Sequence, residues 1–420
     1  MTQIAVSVIV VSRHRPQALL RCLKGLQQLY YYPFEVIVVA DPDGIEALCS
    51  SGVLATVKHA LFDQPNISVA RNIGIGLAAG EVIAFLDDDA VAEPTWLSHL
   101  IPPFRDETVS AAGGFVRGRN GITFQSKARR VNGLGVHESV DIPDSEPVVL
   151  ASYPGDAIKT EGTNCAFRLD ILRALGGFDP AFAFYLDETD LNLRLAGICA
   201  KTAIVPLAQV HHGFASSARR RPSRMPETLF DVGASQAVFL RKHADMAQYK
   251  PAIKAMVAEQ KARLIRHMIA GTCEPGDVAA VLKTLEAGFA AGALRDFGGM
   301  PKMKQDATAF QVFETFERDS DGICLAGRFW SLRSLRKRAK EHVENGQRVS
   351  LFCFSPTALY HRASFDAAGY WQQTGGLFGR SERDDPLVQK VGFSDRLQRE
   401  KKRLKPVRNE ISDRKCGRYD

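Results

Sequence analysis

The sequence predicts an α/β protein: a mostly parallel sheet over the first half, then a largely helical region with a small α/β element. Three observations carry this expectation. Short β-branched runs alternate with stretches of helical period in residues 1–215, the signature of βαβ crossovers. Each run stops at a cluster of polar residues. Residues 228–294 show helical, Ala-rich patterning, and 348–354 read as one more buried strand.

The first strand is Ile4–Val11, closed by Ser12-Arg13-His14-Arg15-Pro16. Pro16 suits a first helical turn, and Ala18, Leu19, Cys22, Leu23, Leu26 and Leu29 recur at helical spacing. A second run, Phe34–Ala40, ends in Asp41-Pro42-Asp43-Gly44, and 53–58 reads as a third strand. A helix is expected over Ser68–Ala79, capped by Asn66 or Ser68 and stopped at Gly80. Val82–Leu86 is the next strand and runs into Asp87-Asp88-Asp89. A strand follows at Val109–Val116, and 117–150 read as an irregular acceptor-binding or gating segment. Asp170–Leu175 is a short helix closed by Gly176-Gly177. Residues 187–197 form a helix with Asp187, Glu188 and Asp190 in its first turn, favourable to the helix dipole. A strand Lys201–Val205 precedes His211-His212.

Adjacent carboxylates repel, and at a strand end they usually face a cation that offsets that cost. Asp87 and Asp89 alternate, so they can share one hard divalent ion that also meets substrate phosphates. Parallel sheets bind ligands beyond the C-terminal strand ends. Here those ends carry Ser12 and Arg13, Asp41 and Asp43, and the Asp triplet. No GxGxxG follows the first strand and no GxxxxGK[ST] occurs, which argues against a dinucleotide-binding or P-loop domain. Arg71, on the helix before the triplet, adds a cation or a base contact, or is an ordinary surface arginine.

Bulk properties narrow the class. The chain has 420 residues, 45% apolar and 24% charged, as expected of a soluble globular protein with more than one domain. No apolar run reaches the roughly 18–20 residues of a membrane span, and the start reads as a buried strand, not a signal peptide. Eight scattered cysteines with no CxxC pair fit a reducing cytoplasm. Residues 1–215 hold 17 Lys/Arg against 23 Asp/Glu, a net −6; residues 216–420 hold 37 against 24, a net +13. The acidic half suits a metal and the basic half an anionic surface.

In the second half, 216–227 read as a basic linker, and Gly271 and Gly276 break the helical region. Residues 328–343 form a basic amphipathic helix with Phe329, Leu332, Leu335, Ala339 and Val343 on one face. It either lies on an anionic membrane or docks on the catalytic domain. The tail 396–418 is basic with little apolar period, and partial disorder is expected.

The segments SVIVVSRHRP, EVIVVADPDG, SVARNIGIGLAAGEVIAFLDDDAV and EPTWL resemble, in order and spacing, a family 2 glycosyltransferase with the GT-A (nucleotide-diphospho-sugar transferase) fold. The resemblance covers about residues 4–215. It implies a catalytic domain over 1–215, a nucleotide-sugar donor, and Mg²⁺ or Mn²⁺ on the Asp87–Asp89 motif. It places Ser12, Arg13, Asp41, Arg71, Asp87 and Asp88 at the donor. Asp87 and Asp89 would hold the metal with His211, His212 being the alternative. The general base of an inverting transfer falls on Glu188, with Asp187 the alternative because the pair is reversed relative to the family pattern. Asn164 and Asp190 take acceptor-side or structural places. The implied acceptor is a saccharide or lipid-linked hydroxyl in surface polysaccharide or glycolipid assembly, with no nucleic acid, in a cytoplasmic protein peripheral to the inner face of the membrane. Two other readings compete. A nucleotidyltransferase would want a Gly-rich loop after the first strand, which SRHRP lacks. An inactive GT-A-like binding module would not need acids at all three expected places.

Overall fold

The computed structural model describes residues 3–213, 219–221, 223–303, 308–409 and 411–412. The chain opens with β1 (Val6–Ser12), α1 (Pro16–Leu26), β2 (Phe34–Ala40), α2 (Pro42–Ser50), β3 (Lys58–Leu61), α3 (Ile67–Leu77), β4 (Val82–Asp87), β5 (Ala90–Ala92) and α4 (Trp96–Leu100). There follow β6 (Val109–Arg117), β7 (Phe124–Ser126), β8 (Arg129–Asn132), β9 (His137–Ser139), β10 (Val148–Ala151), β11 (Asp156–Lys159), β12 (Cys165–Arg168), α5 (Leu169–Ala174), α6 (Asp187–Gly197) and β13 (Lys201–His212). The main sheet has the order β10-β13-β6-β12-β4-β1-β2-β3. Its centre is parallel, with β12 antiparallel between β4 and β6 and edge strand β10 antiparallel to β13. This is the mostly parallel α/β sheet expected of the GT-A class.

The sheet is buried on both faces, which is why its strands read as continuous apolar runs. Val6, Val8, Val10 and Val38 pack one way, against Leu19 and Leu23 of α1 and Trp96 and Leu100 of α4. Ile9, Ile37, Ile83 and Phe85 pack the other way, against Ile75 of α3, Leu172 of α5 and Leu191 and Leu195 of α6.

Three expectations in this half need correction. Residues 54–56 form a 3₁₀ turn and the third strand starts at Lys58, an edge strand that alternates in exposure and carries His59 and Leu61 outward. Residues 117–150 are not irregular: β7 extends the main sheet, and β8 and β9 join β11 in a separate three-stranded sheet. Strands of three or four residues are too short to show a period. The last strand runs on to His212, past Pro206, through a register shift against β6 between Val205 and Val210; a bulge is where a strand tolerates proline.

Beyond His212 come α7 (Phe230–His243), α8 (Met246–Ile269) and α9 (Pro275–Leu294). Gly271 lies in the turn between α8 and α9 with φ +69°, while Gly276 sits inside the first turn of α9. The backbones of α7 and α9 nearly touch. A Cβ on Gly288 would fall 2.1 Å from the Phe230 carbonyl oxygen, and one on Gly292 2.2 Å from that of Ala234. Part of the linker, residues 214–218 and 222, lies outside the described residues; Arg219 is anchored to Asp231 at 2.6 Å.

The last described elements form a third, five-stranded sheet. It contains β14 (Gly322–Arg328), α10 (Leu332–Glu344), β15 (Val349–Ser355), β16 (Arg362–Phe365), β17 (Trp371–Gly376), α11 (Phe393–Arg408) and β18 (Ile411–Ser412), with strand order β16-β17-β15-β14-β18. The basic amphipathic helix is α10, and its apolar face packs on its own sheet and not on the first domain. Leu335 and Ala339 are buried against β14 and β15 of its own sheet. The expected disorder of the tail is also corrected through Arg408. Helix α11 buries Arg396, Glu400 and Arg408 together with Leu397, Leu404 and Val407, so charged residues occupy its inward face and hide the apolar period. The part of that tail from 413 to 418 lies outside the described residues. Among the described residues, no helix is long and apolar enough to cross a membrane.

Candidate functional site

The register of the parallel strands assembles the site. Val11 of β1 pairs with Asp87 of β4, and Ser12 pairs with Ala40 of β2. Ser12, Asp41 and the Asp triplet therefore leave the sheet at one edge. Of these, Ser12, Asp87 and Asp89 border a cavity of about 570 Å³ that His212 also lines. Its far wall carries Arg220, Gln260 and Arg263 from the helical region. The second half of the chain thus completes the cleft.

The three aspartates have different surroundings. The Asp87 side chain is 26% exposed at the cleft. Asp88 is fully buried, accepts a hydrogen bond from Ser12 Oγ at 2.7 Å and meets the Arg15 guanidinium at 2.6 Å. Burial pushes its carboxyl up to about 7 against the pull of Arg15. Asp89 lies 3.3 Å from Arg15 and 3.2 Å from His212 Nε2. Burial works against a charged His212, but the Asp89 hydrogen bond and charge outweigh it and raise the imidazole above its ordinary value. The ligand atoms of Asp87, Asp89 and His212 all lie within 4.8 Å of one another. Two carboxylates and an imidazole suit Mn²⁺ or Mg²⁺, so these residues fit the implied ion.

The structure brings His212, not His211, to the triplet. Neighbouring residues of a strand point to opposite faces, and β13 pairs His212 with Ala90 beside Asp89. His211 points the other way: its Nε2 lies 2.7 Å from Glu93 Oε1, and its ring lies 4.7 Å from Trp371. Four expected donor residues also have protein partners, although Ser12 and Arg13 line the cleft. Asp88 is turned inward as described, and the Ser12 hydroxyl is given to it. Arg13 pairs with Asp63 at 2.8 Å. Asp41 is 1% exposed and caps α2, accepting from the backbone N–H groups of Gly44 and His14. Short polar side chains after a strand serve as caps as readily as ligand contacts.

Arg71 is a bridge, not a surface residue. It is buried over the Phe85 and Phe178 rings, pairs with Asp187, and reaches Asp87 at 3.4 Å and the Gly162 carbonyl at 3.0 Å. It links the triplet to the acidic start of α6. There Asp187 has 4% side-chain exposure and Glu188 16%. Burial and the adjacent Glu188 charge raise Asp187, with Arg71 opposing. Burial also pushes against ionisation of Glu188, but the Lys159 ammonium at 2.9 Å outweighs it and keeps this carboxylate charged.

Asp190 and Asn164 are placed structurally. Asn164 accepts from Trp96 Nε1 and donates to the carbonyls of Phe115 and Ala208. Asp190 is fully buried and meets Arg194 at 2.8 Å, Lys242 at 2.7 Å and His243 at 2.8 Å, tying α6 to α7. Burial opposes its charge, yet these three partners hold its carboxyl below the usual carboxylate range. A depressed folded-state pKa contributes stability above the unfolded aspartate value, lost as pH falls through the folded value. Asp190→Asn is expected to lower unfolding free energy at pH 7 by about 3–5 kcal/mol, with the deficit shrinking on acidification. Urea unfolding at both pH values checks this; equal stabilities at pH 7 would refute the role.

Sequence reading missed Arg15, Lys159, Glu93 and Arg408. The last two are the most distant, 315 residues apart. Arg408 at the end of α11 donates to both Glu93 oxygens at 2.7 and 2.9 Å and stacks 4.3 Å from the Trp371 centroid. Burial opposes a charged Glu93, but Arg408 and the His211 hydrogen bond hold it well below the usual carboxylate range. Glu93 follows β5, which pairs with the His211-His212 end of β13, so this buried ion pair braces the strand that presents His212. Arg408→Met leaves a buried carboxylate without its cation. The expected loss is about 3–5 kcal/mol of stability and about 10- to 100-fold in divalent-ion affinity. Thermal unfolding and Mn²⁺ titration by electron paramagnetic resonance measure the two; wild-type values in both would contradict the brace.

Residues 7–175 match the family model described as Glycosyl transferase family 2. Over 181 residues the chain is 23% identical to a glucosyl-dolichyl phosphate glucuronosyltransferase of Haloferax volcanii, covering 42% of this chain and 56% of that one. Over 214 residues it is 28% identical to a pre-mycofactocin glycosyltransferase of Mycobacterium tuberculosis, covering 49% and 42%. The chain thus spans about half the length of these relatives. Among solved structures, GalNAc-T7 with UDP, GalNAc and Mn²⁺ aligns at 16% identity with a TM-score of 0.45, covering 68% of this chain and 55% of that one. A mannosyltransferase of Pyrobaculum calidifontis, in complex with GDP-Man and Mn²⁺, aligns at 16% identity and 0.43, covering 69% and 87%.

Proposed function

We propose that this chain, whose residues 7–175 match the Glycosyl transferase family 2 model, moves a sugar from a nucleotide-sugar donor to a hydroxyl acceptor, with a divalent metal and inversion at the anomeric carbon. The observation that carries this reading is the convergence of Asp87, Asp89 and His212 on the cleft, joined through Arg71 to the acidic start of α6. Asp87, Asp89 and His212 would hold Mg²⁺ or Mn²⁺. When bound, the ion neutralises charge developing on the departing nucleoside diphosphate. Arg15, beside Asp89, keeps the emptier triplet from repelling itself before the ion binds.

Glu188 is assigned as the base because it is the more exposed of the two acids and Lys159 keeps it ionised. It takes the proton from the acceptor hydroxyl as that oxygen bonds to the anomeric carbon and the bond from that carbon to the phosphate oxygen breaks. Asp187, locked to Arg71, positions that guanidinium between the acid helix and the triplet. An acceptor carried on a lipid or saccharide, in surface polysaccharide or glycolipid assembly, has the support of one relative whose name contains dolichyl phosphate. The test is donor hydrolysis across UDP-, GDP- and dTDP-sugars with Mn²⁺ and with EDTA. Release of one nucleoside diphosphate that EDTA abolishes is expected; no release from any donor, with no Mn²⁺ binding, would overturn the reading.

A further inference from the structure

The five-stranded sheet packs on the first domain. Phe365 and Trp371 pack on Val91, Lys24 donates to the Ala367 carbonyl at 2.7 Å, and Arg348 donates to the Gln28 carbonyl at 2.6 Å. Arg348 and Trp371 stand at the starts of β15 and β17. Strands β14, β15 and β17 are parallel, so their C-terminal ends lie together at the opposite end of the sheet from Arg348 and Trp371. The loops that leave this end are 329–331, 356–361 and 377–392. The last two are laced together: Phe378 N–H donates to the Thr357 carbonyl at 3.0 Å, His361 N–H to Arg380 at 3.0 Å, and Gln389 N–H to Phe378 at 2.9 Å.

These loops hold six large exposed apolar residues. Leu387 is 70% exposed, Leu359 64%, Trp330 and Val388 61% each, Phe329 55% and Tyr360 38%. Stretches of exposed apolar surface that a monomer leaves uncovered mark interaction sites. The charge around them is one-sided. Arg328, Arg333, Arg362, Arg380, Arg383 and Lys390 flank these loops, against Glu382, Asp384 and Asp395, while Asp385 turns inward onto Arg399. A second copy presenting the same patch would bring like charges together, which disfavours self-docking. Aromatic and aliphatic loop tips flanked by arginine instead suit the boundary between anionic headgroups and acyl chains.

We propose that this end of the sheet, residues 329–331, 356–361 and 377–392, is a docking surface for an anionic lipid bilayer. Trp330 and Leu387 enter the headgroup–acyl boundary and the flanking arginines meet lipid phosphates. The role of the basic helix is then to supply flanking charge, since its apolar face is spent on β14 and β15. The surface is separate from the cleft, so the inference stands apart from the enzymatic reading.

The protein carries its own probe. Of its three tryptophans, Trp96 is 0% and Trp371 2% exposed, so Trp330 alone reports on the surface. Vesicles of phosphatidylserine and phosphatidylcholine should shift its fluorescence to the blue, and brominated acyl chains should quench it. Pure phosphatidylcholine should do neither. Leu387→Asp should weaken vesicle co-sedimentation at least tenfold while Mn²⁺ binding in the cleft stays unchanged. No shift with anionic vesicles at low salt would overturn the proposal. So would undiminished binding of Leu387→Asp, or concentration-dependent self-association in sedimentation velocity that this substitution abolishes.

Discussion

Asp89→Asn is expected to abolish metal-dependent donor binding, with Mn²⁺ affinity falling by ~100-fold or more. Losing an outer-sphere partner alone costs ~10- to 100-fold, and Asp89 is one of the three groups whose ligand atoms converge. A neutral amide keeps the shape but removes one of two anionic oxygen donors, and hard divalent ions bind chiefly through such charge. The change also strips Arg15 and His212 of a partner, so circular dichroism and thermal unfolding must accompany the Mn²⁺ titration. Loss of Mn²⁺ affinity in a folded variant supports the site. A folded Asp89→Asn that binds Mn²⁺ as tightly as the wild type would remove the ion from this triplet. His212→Ala should behave similarly, because His212 shares the same focus.

The second large effect is expected at the acidic start of α6. Glu188→Gln should reduce transfer by about 10²- to 10⁴-fold, the usual contribution of general-base catalysis, with donor and Mn²⁺ affinity kept. The amide preserves a hydrogen-bond partner for Lys159 but cannot accept the acceptor's proton. Asp187→Asn should act differently. It frees Arg71, whose other contacts are Asp87 and the Gly162 carbonyl, so donor affinity should fall along with turnover. Steady-state kinetics on both variants separate the roles. Full turnover in Glu188→Gln with a dead Asp187→Asn would exchange the two assignments.

Much of this arrangement was legible in the residues. The apolar runs Phe34–Ala40 and Val82–Leu86 fall on β2 and β4, because strands buried on both faces carry no polar interruption. The Asp triplet could be read as a strand-end cluster, and the parallel register does bring Ser12, Asp41 and Asp87 to one edge. What the sequence hides is which way each side chain turns once there. His211 and His212 differ only by strand alternation, and the bulge after Val205 shifts the parity that would have distinguished them. Asp190 and Asp187 look alike on a helix, but one meets Arg194, Lys242 and His243 and the other meets Arg71. Arg408 could not be found from local pattern at all. Its value to Glu93 depends on packing between two sheets, and its helix reads as solvated because its buried face carries paired charges.

The central claim is that Asp87, Asp89 and His212 hold a divalent ion that receives a nucleoside diphosphate in the cleft. Isothermal titration of UDP, GDP and dTDP into the protein, once with Mn²⁺ and once with EDTA, addresses it directly. Binding of at least one nucleotide in Mn²⁺, lost in EDTA and lost in Asp89→Asn, is the predicted result. Binding of equal strength with and without the ion, or no binding of any of the three in Mn²⁺, would contradict it.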